Sequence, residues 1–204
     1  MEKFSNSKKK KILTAIVVLL VLLLLLLLAF IFLKNKKKFD TPTLKIETPQ
    51  KISYENREPF EIDMTVSSLG DSIYPAASFS IDFDKSRLEF LGIDEGNLLV
   101  LDGENSAKLP EWSVNAEQCN KSGKINIMYL DTTAGKNAFS NELLQKKNNV
   151  VLRLCFRLRG SARAGDVYGV EFADAVFAAD DEDNSLAQSK KTLKTINGRI
   201  AVGE

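Results

Sequence analysis

The sequence predicts an all-β fold, an antiparallel β-sandwich, carried behind a single apolar helix. Three observations predict it. From residue 44 onward, apolar and polar residues alternate with a period of two in short runs, as half-buried strands require. Turn-forming residues separate these runs at short intervals, leaving no room for long helices. Residues 12 to 33 form one stretch without a charged residue.

That stretch comes first in the chain. It is roughly 22 residues and about 33 Å long as a helix, the thickness of a bilayer core. Lys8 to Lys11 precede it, and Lys34 and Lys36 to Lys38 follow it. In lipid such a helix satisfies its own backbone and needs no partner. A cleaved signal peptide is the rival reading. Its apolar region is usually shorter, about 7–15 residues, and ends in a small-residue cleavage site. Here the run ends Leu28-Ala29-Phe30-Ile31-Phe32-Leu33 and meets lysines, so an uncleaved anchor is favoured. The two flanks carry similar positive charge, so the lysines alone leave orientation open. The expected organisation is a basic N-terminus (1–11), an anchor (12–33), a short linker (34–43) and one domain (44–204).

Composition removes several functions. Of the 204 residues, 28 are Lys or Arg and 27 are Asp or Glu, a formal net charge of +1. No basic field for nucleic acid exists at that balance. Histidine is absent, which rules out Ser-His-Asp and Cys-His catalysis. A carboxylate pair remains formally able to hydrolyse a glycoside, but no catalytic motif supports it. Cys119 and Cys155 are the only cysteines, and spacing leaves open whether they pair.

The strands read as follows. Leu44 to Glu47 is short. Phe60, Ile62, Met64 and Val66 share one face of the next. From Ile73 to Phe83, Ala77, Phe79, Ile81 and Phe83 face a core. Its other face carries Ala76, Ser78, Ser80 and Asp82, a small, flat set that is unusual for a solvated strand. Leu88 to Ile93 follows, then an irregular stretch from Asn97 to Pro110. Trp112 to Val114 and Lys124 to Leu130 flank a turn at Asn120-Lys121-Ser122-Gly123. Val150 to Leu158 alternates Leu152, Leu154, Phe156 and Leu158 against Arg153, Cys155 and Arg157. Those arginines, with Arg159, read as a solvated outer face before they read as a basic patch. Val167 to Phe177 and Leu193 to Val202 complete the set, the last interrupted at Asn197-Gly198. One short helix is expected at Asn141 to Lys147, with Ser140 as N-cap.

Three segments resemble the cohesin family, the receptor modules of cellulosomes. Phe83-Asp84-Lys85-Ser86-Arg87-Leu88-Glu89-Phe90-Leu91-Gly92-Ile93-Asp94-Glu95-Gly96 is similar to its "YDPxxLEfxgvxpG" stretch. Tyr129-Leu130-Asp131-Thr132-Thr133-Ala134-Gly135 is similar to its "LDDTAG" strand ending. Phe172 to Asp180, followed by Asn197-Gly198-Arg199-Ile200-Ala201-Val202, is similar to its "DAVFAD…vnGxitV" signature. Together, in order, they run from Phe83 to Val202.

The resemblance implies a nine-stranded jelly-roll sandwich, extracellular and non-catalytic. It would bind dockerin-bearing proteins and hold them at the membrane. It also implies that no cofactor sits on this chain and that calcium is carried by the dockerin. No small-molecule substrate and no nucleic acid are implied. An extracellular domain would place residues 1–11 in the cytoplasm. The partner face it implies comprises Ala76, Ser78, Ser80, Tyr129, Thr132 and Gly135. Family members of type I carry an asparagine and an aspartate where this chain has Ala76 and Ser78, so the usual charge-assisted contact is missing. Tyr129 is read as an interface anchor, with a core aromatic as its alternative. Gly135 serves the partner or only its own turn. A carbohydrate-binding or adhesion module of jelly-roll type is the alternative function, but the only tryptophan is Trp112 and the tyrosines are scattered. The acidic run Asp180-Asp181-Glu182-Asp183 lacks the spacing of a calcium loop and reads as solvated.

Overall fold

The computed structural model describes residues 16–25, 41–49, 51–98, 112–144, 149–181 and 186–204. The chain divides into two compact units, Met1–Phe39 and Asp40–Glu204. In the first, residues 16–25 are helical (α1) and lie within the expected anchor. The rest of that anchor and its basic flanks lie outside the described residues. Among the described residues, no helix is long and apolar enough to cross a membrane.

The second unit is a two-sheet β-sandwich, as alternation in the sequence requires. Its strands are β1 (Thr43–Ile46), β2 (Ile52–Ser53), β3 (Phe60–Val66), β4 (Ala76–Phe83), β5 (Leu88–Glu95) and β6 (Trp112–Ser113). They continue with β7 (Lys124–Leu130), β8 (Val150–Leu158), β9 (Val167–Ala178), β10 (Lys194–Ile196) and β11 (Gly198–Gly203). One sheet has the order β10-β1-β3-β8-β5, the other β2-β11-β9-β4-β7-β6.

The described residues thus hold eleven strands, not the expected nine. One addition is the two-residue β2, too short to show a periodicity. The other arises because Leu193 to Val202 is not one strand. At Asn197 the chain leaves the first sheet, where β10 runs parallel to β1, and enters the second, where β11 runs antiparallel to β9. Gly198 permits the crossing, because a Cβ there would lie 2.5 Å from the Ile46 side chain. The two parallel pairs, β1 with β10 and β2 with β11, are exceptions to the antiparallel rule.

Between the sheets lies an aromatic core. Phe177 packs against Tyr74, Phe79 and Phe139 at ring-centroid distances of 6.2, 5.4 and 5.4 Å. Phe156 packs against Phe83 and Phe90 at 5.7 and 5.5 Å. Leucine, isoleucine and methionine from β1, β3, β5, β7 and β8 fill the rest, all buried. Each such side chain contributes about 1.5–3 kcal/mol when removed from water.

Two helix readings are corrected. Asn141–Leu143 is only a 3-10 turn, and Ser140 makes no side-chain cap bond there; residues 145–148 lie outside the described residues. The stretch before β7 is a true helix, α2 (Ala116–Ser122). Asn115 caps it by accepting from Gln118 N–H, and Gly123 ends it in the left-handed region at φ 80°. Sequence reading recognised its C-terminal turn and missed the N-cap.

Cys119 lies buried in α2 and Cys155 half-buried on the outer side of β8, and the two are free. Burial pushes the Cys155 thiol up to about 12, and its 3.2 Å hydrogen bond to Asp94 adds to the effect. A thiolate, not a thiol, attacks disulfide reagents. The native domain is therefore expected to react negligibly with an aromatic disulfide reagent at pH 8, whereas denaturation exposes both thiols. Absorbance titration checks this.

Candidate docking face

The outer faces of the two sheets differ in chemistry. On the first, charged residues pair across strands: Arg153 meets Asp63 at 3.2 Å and Glu61 at 3.6 Å, and Arg157 meets Glu89 at 3.4 Å. Lys45 meets Glu47 at 2.5 Å along β1. This is the solvated face expected of Arg153 and Arg157. Glu61, Asp94 and Cys155 also converge there, but Arg153 already neutralises Glu61.

The second sheet presents four rungs across β9, β4 and β7. Ala178, Ala76 and Leu130 form the first, and Val176, Ser78 and Met128 the second. Asp174, Ser80 and Asn126 form the third, where Ser80 Oγ donates to Asn126 Oδ1 at 2.9 Å. Glu171, Asp82 and Lys124 form the fourth, closed by a 2.6 Å ion pair between Lys124 and Asp82. The face thus grades from apolar at one end to charged at the other. Met128 is 63% exposed and Leu130 57%, large apolar side chains held in water by strand parity.

Ala76, Ser78 and Ser80 all lie on this outer face, in adjoining rungs. Tyr129 does not. It is 2% exposed, directly opposite the core residue Ala77, and its ring packs on Trp112 at 4.8 Å and Phe139 at 4.9 Å. The interface reading of Tyr129 is therefore corrected to core. Its register with β4 and its parity with Ile125 and Ile127 within β7 both put it inward. The apolar exposed residues of β7 are Met128 and Leu130, which sequence reasoning passed over. Their signal was present, since they alternate with Ile125, Ile127 and Tyr129. Trp112 is half-buried in the same aromatic cluster.

Thr132 and Gly135 are exposed in the loop that leaves β7 beside Leu130. The loop begins with Asp131 N–H donating to Pro75 C=O at 2.7 Å. It turns through Ala134, whose φ of 58° is rare for a residue with a Cβ, and Gly135 at φ 91°. Past Gly135 it borders a groove of about 540 Å³, whose far wall includes Asp71 and Ile73. Of the acidic run, Asp180 accepts from Ser72 Oγ at 3.1 Å and Asp181 from Leu186 N–H at 3.3 Å. Residues 182–185 lie outside the described residues.

Two carboxylates that fix turns have depressed pKa values. At Asp84, between β4 and β5, the Ser86 hydroxyl bond is the largest cause. At Asp131 burial raises the value, but bonds from Thr133, Gly135 and Asn137 together outweigh it. Both folded values fall below the ordinary 3.8. Their stabilising contribution is therefore present above 3.8 and is lost as pH falls through the lower folded values. Asp84→Asn and Asp131→Asn are expected to flatten the acid limb of stability against pH, read by denaturant melts at stepped pH.

The cohesin domain family matches residues 42–198, most of the chain. The chain belongs to the cohesin domain family. Cohesins are non-catalytic protein-binding modules. Among solved structures, this cohesin is similar to the third cohesin of ScaC from Acetivibrio cellulolyticus, in complex with the ScaB dockerin. Identity there is 15%, the TM-score 0.60, and the match covers 80% of this chain and 99% of that one. It is also similar to the cohesin of the Coh-OlpA-Doc918 complex of Clostridium thermocellum, at 15% identity and TM-score 0.56, covering 80% and 99%. A type III cohesin from the cell-surface anchoring scaffoldin ScaE of Ruminococcus flavefaciens matches at 16% and 0.51, covering 80% and 88%. These likenesses carry the fold. No curated protein matches the chain.

Proposed function

We propose that this chain is a membrane-held receptor that captures dockerin-bearing proteins on the β9-β4-β7 face, in support of polysaccharide degradation outside the cell. The observation that carries the reading is the exposed pair Met128 and Leu130 beside the small residues Ala76 and Ser78. A flat apolar patch with short polar neighbours lets a helix lie close and bury its own apolar stripe. Relatives of the same fold are described in complex with dockerins, which supports assigning that partner class. Calcium then belongs to the partner and not to this chain. The uncharged stretch 12–33 with its lysine flanks supports retention in a bilayer, and an extracellular β-domain would leave residues 1–11 cytoplasmic.

The test uses the full chain in detergent micelles against the dockerin modules encoded by its source genome. At least one is expected to bind in calcium and to dissociate on chelation. No binding across the whole set removes the reading. Retention in membranes through alkaline carbonate extraction tests the anchor separately.

A further inference from the structure

We infer that Asp131 is a positioning residue for docking: its carboxylate sets the shape of the loop that brings Thr132 and Gly135 to the apolar end of the face. The inference rests on the dockerin-receptor reading and deepens it.

Both oxygens of the carboxylate are used within the loop. Oδ1 accepts from Thr133 N–H at 2.7 Å and from the Thr133 hydroxyl at 2.5 Å, and Oδ2 accepts from Gly135 N–H at 2.6 Å. The Thr133 hydroxyl in turn accepts from Asn137 N–H at 3.0 Å. Asn137 C=O accepts from the buried Tyr129 hydroxyl at 2.5 Å. A chain of hydrogen bonds therefore runs from the core, through the loop, to the exposed peptide at Gly135. It also holds Ala134 at a positive φ, which a non-glycine residue adopts only when its surroundings impose it.

Asp131 follows Leu130 directly, so the ordered loop adjoins the most apolar rung. A loop already in its bound shape spares a partner the entropy of ordering it. Asparagine at 131 keeps one acceptor for Thr133 but puts an amide where Gly135 needs an oxygen. Valine at 133 keeps the side-chain volume and removes both hydroxyl bonds.

Asp131→Asn and Thr133→Val are each expected to lower affinity for the calcium-loaded dockerin about tenfold, the equivalent of about 1.4 kcal/mol. Measurement well below the melting temperature keeps folding out of the result. The distinguishing measurement is a double-mutant cycle with Thr132→Ala. If Asp131 acts through the loop, Thr132→Ala costs about fivefold in the native background and nearly nothing beside Asp131→Asn. Additive losses, or native affinity in both Asp131→Asn and Thr133→Val, overturn the inference while leaving the receptor reading intact. If the unaltered chain binds no dockerin, both fall together.

Discussion

Leu130→Asp is expected to weaken dockerin capture by about a hundredfold or more, the scale of a central interface residue. Two effects add. The apolar contact of the first rung is lost, and a carboxylate must be stripped of water against a helix with no partner group to receive it. Ala76 and Ala178, its cross-strand companions, offer no compensating donor side chain. The melting temperature should barely move, because the Leu130 side chain points away from the core and is more than half exposed. Glu89→Lys on the opposite sheet is the control. It breaks a surface ion pair with Arg157 but leaves capture unchanged. Affinity by calorimetry and melting by circular dichroism separate the two effects. Native affinity in Leu130→Asp would move the docking surface elsewhere.

Phe177→Ala acts on the other side of the same sheet. Phe177 is fully buried among Tyr74, Phe79 and Phe139, rings contributed by β4 and by two bridged residues outside the strands. Removing a ring from such a site leaves a cavity that β-strand backbones cannot collapse to fill. The expected loss is about 3–5 kcal/mol of folding stability, which at the usual 2–4 °C per kcal/mol lowers the melting temperature by roughly 10 °C. Denaturant unfolding should show a lower midpoint with an unchanged slope. Under native conditions the folded fraction should still capture dockerin, since Val176 and Ala178 keep their places on the outer face.

Much of this was legible in the residues. Alternation identified the inner faces of β3, β4 and β8 because each is long enough to show its period, and their apolar residues are buried, Phe60 only partly. The small outer set Ala76, Ser78 and Ser80 was legible for the same reason. Tyr129 was not. Its parity with Ile125 and Ile127 pointed inward, but a tyrosine also suits an interface centre, and its register opposite Ala77 assigns it to the core. Met128 and Leu130 were hidden by the same mistake, since placing Tyr129 outward turns them inward. The extra strands escaped because pairing over two or three residues leaves no pattern. The α2 helix escaped because its seven residues carry one buried side chain, Cys119, and so no apolar stripe.

The parallel pairing of β1 with β10 has a mechanical consequence. β1 is the first strand of the domain, and it lies between β10 on one side and β3 on the other. Tension that enters through the residues before Thr43 and runs along β1 would load its backbone bonds to both neighbours together, in shear. They would then have to fail collectively, not peel one after another. A tug transmitted from a captured load would meet a seam and not a zipper.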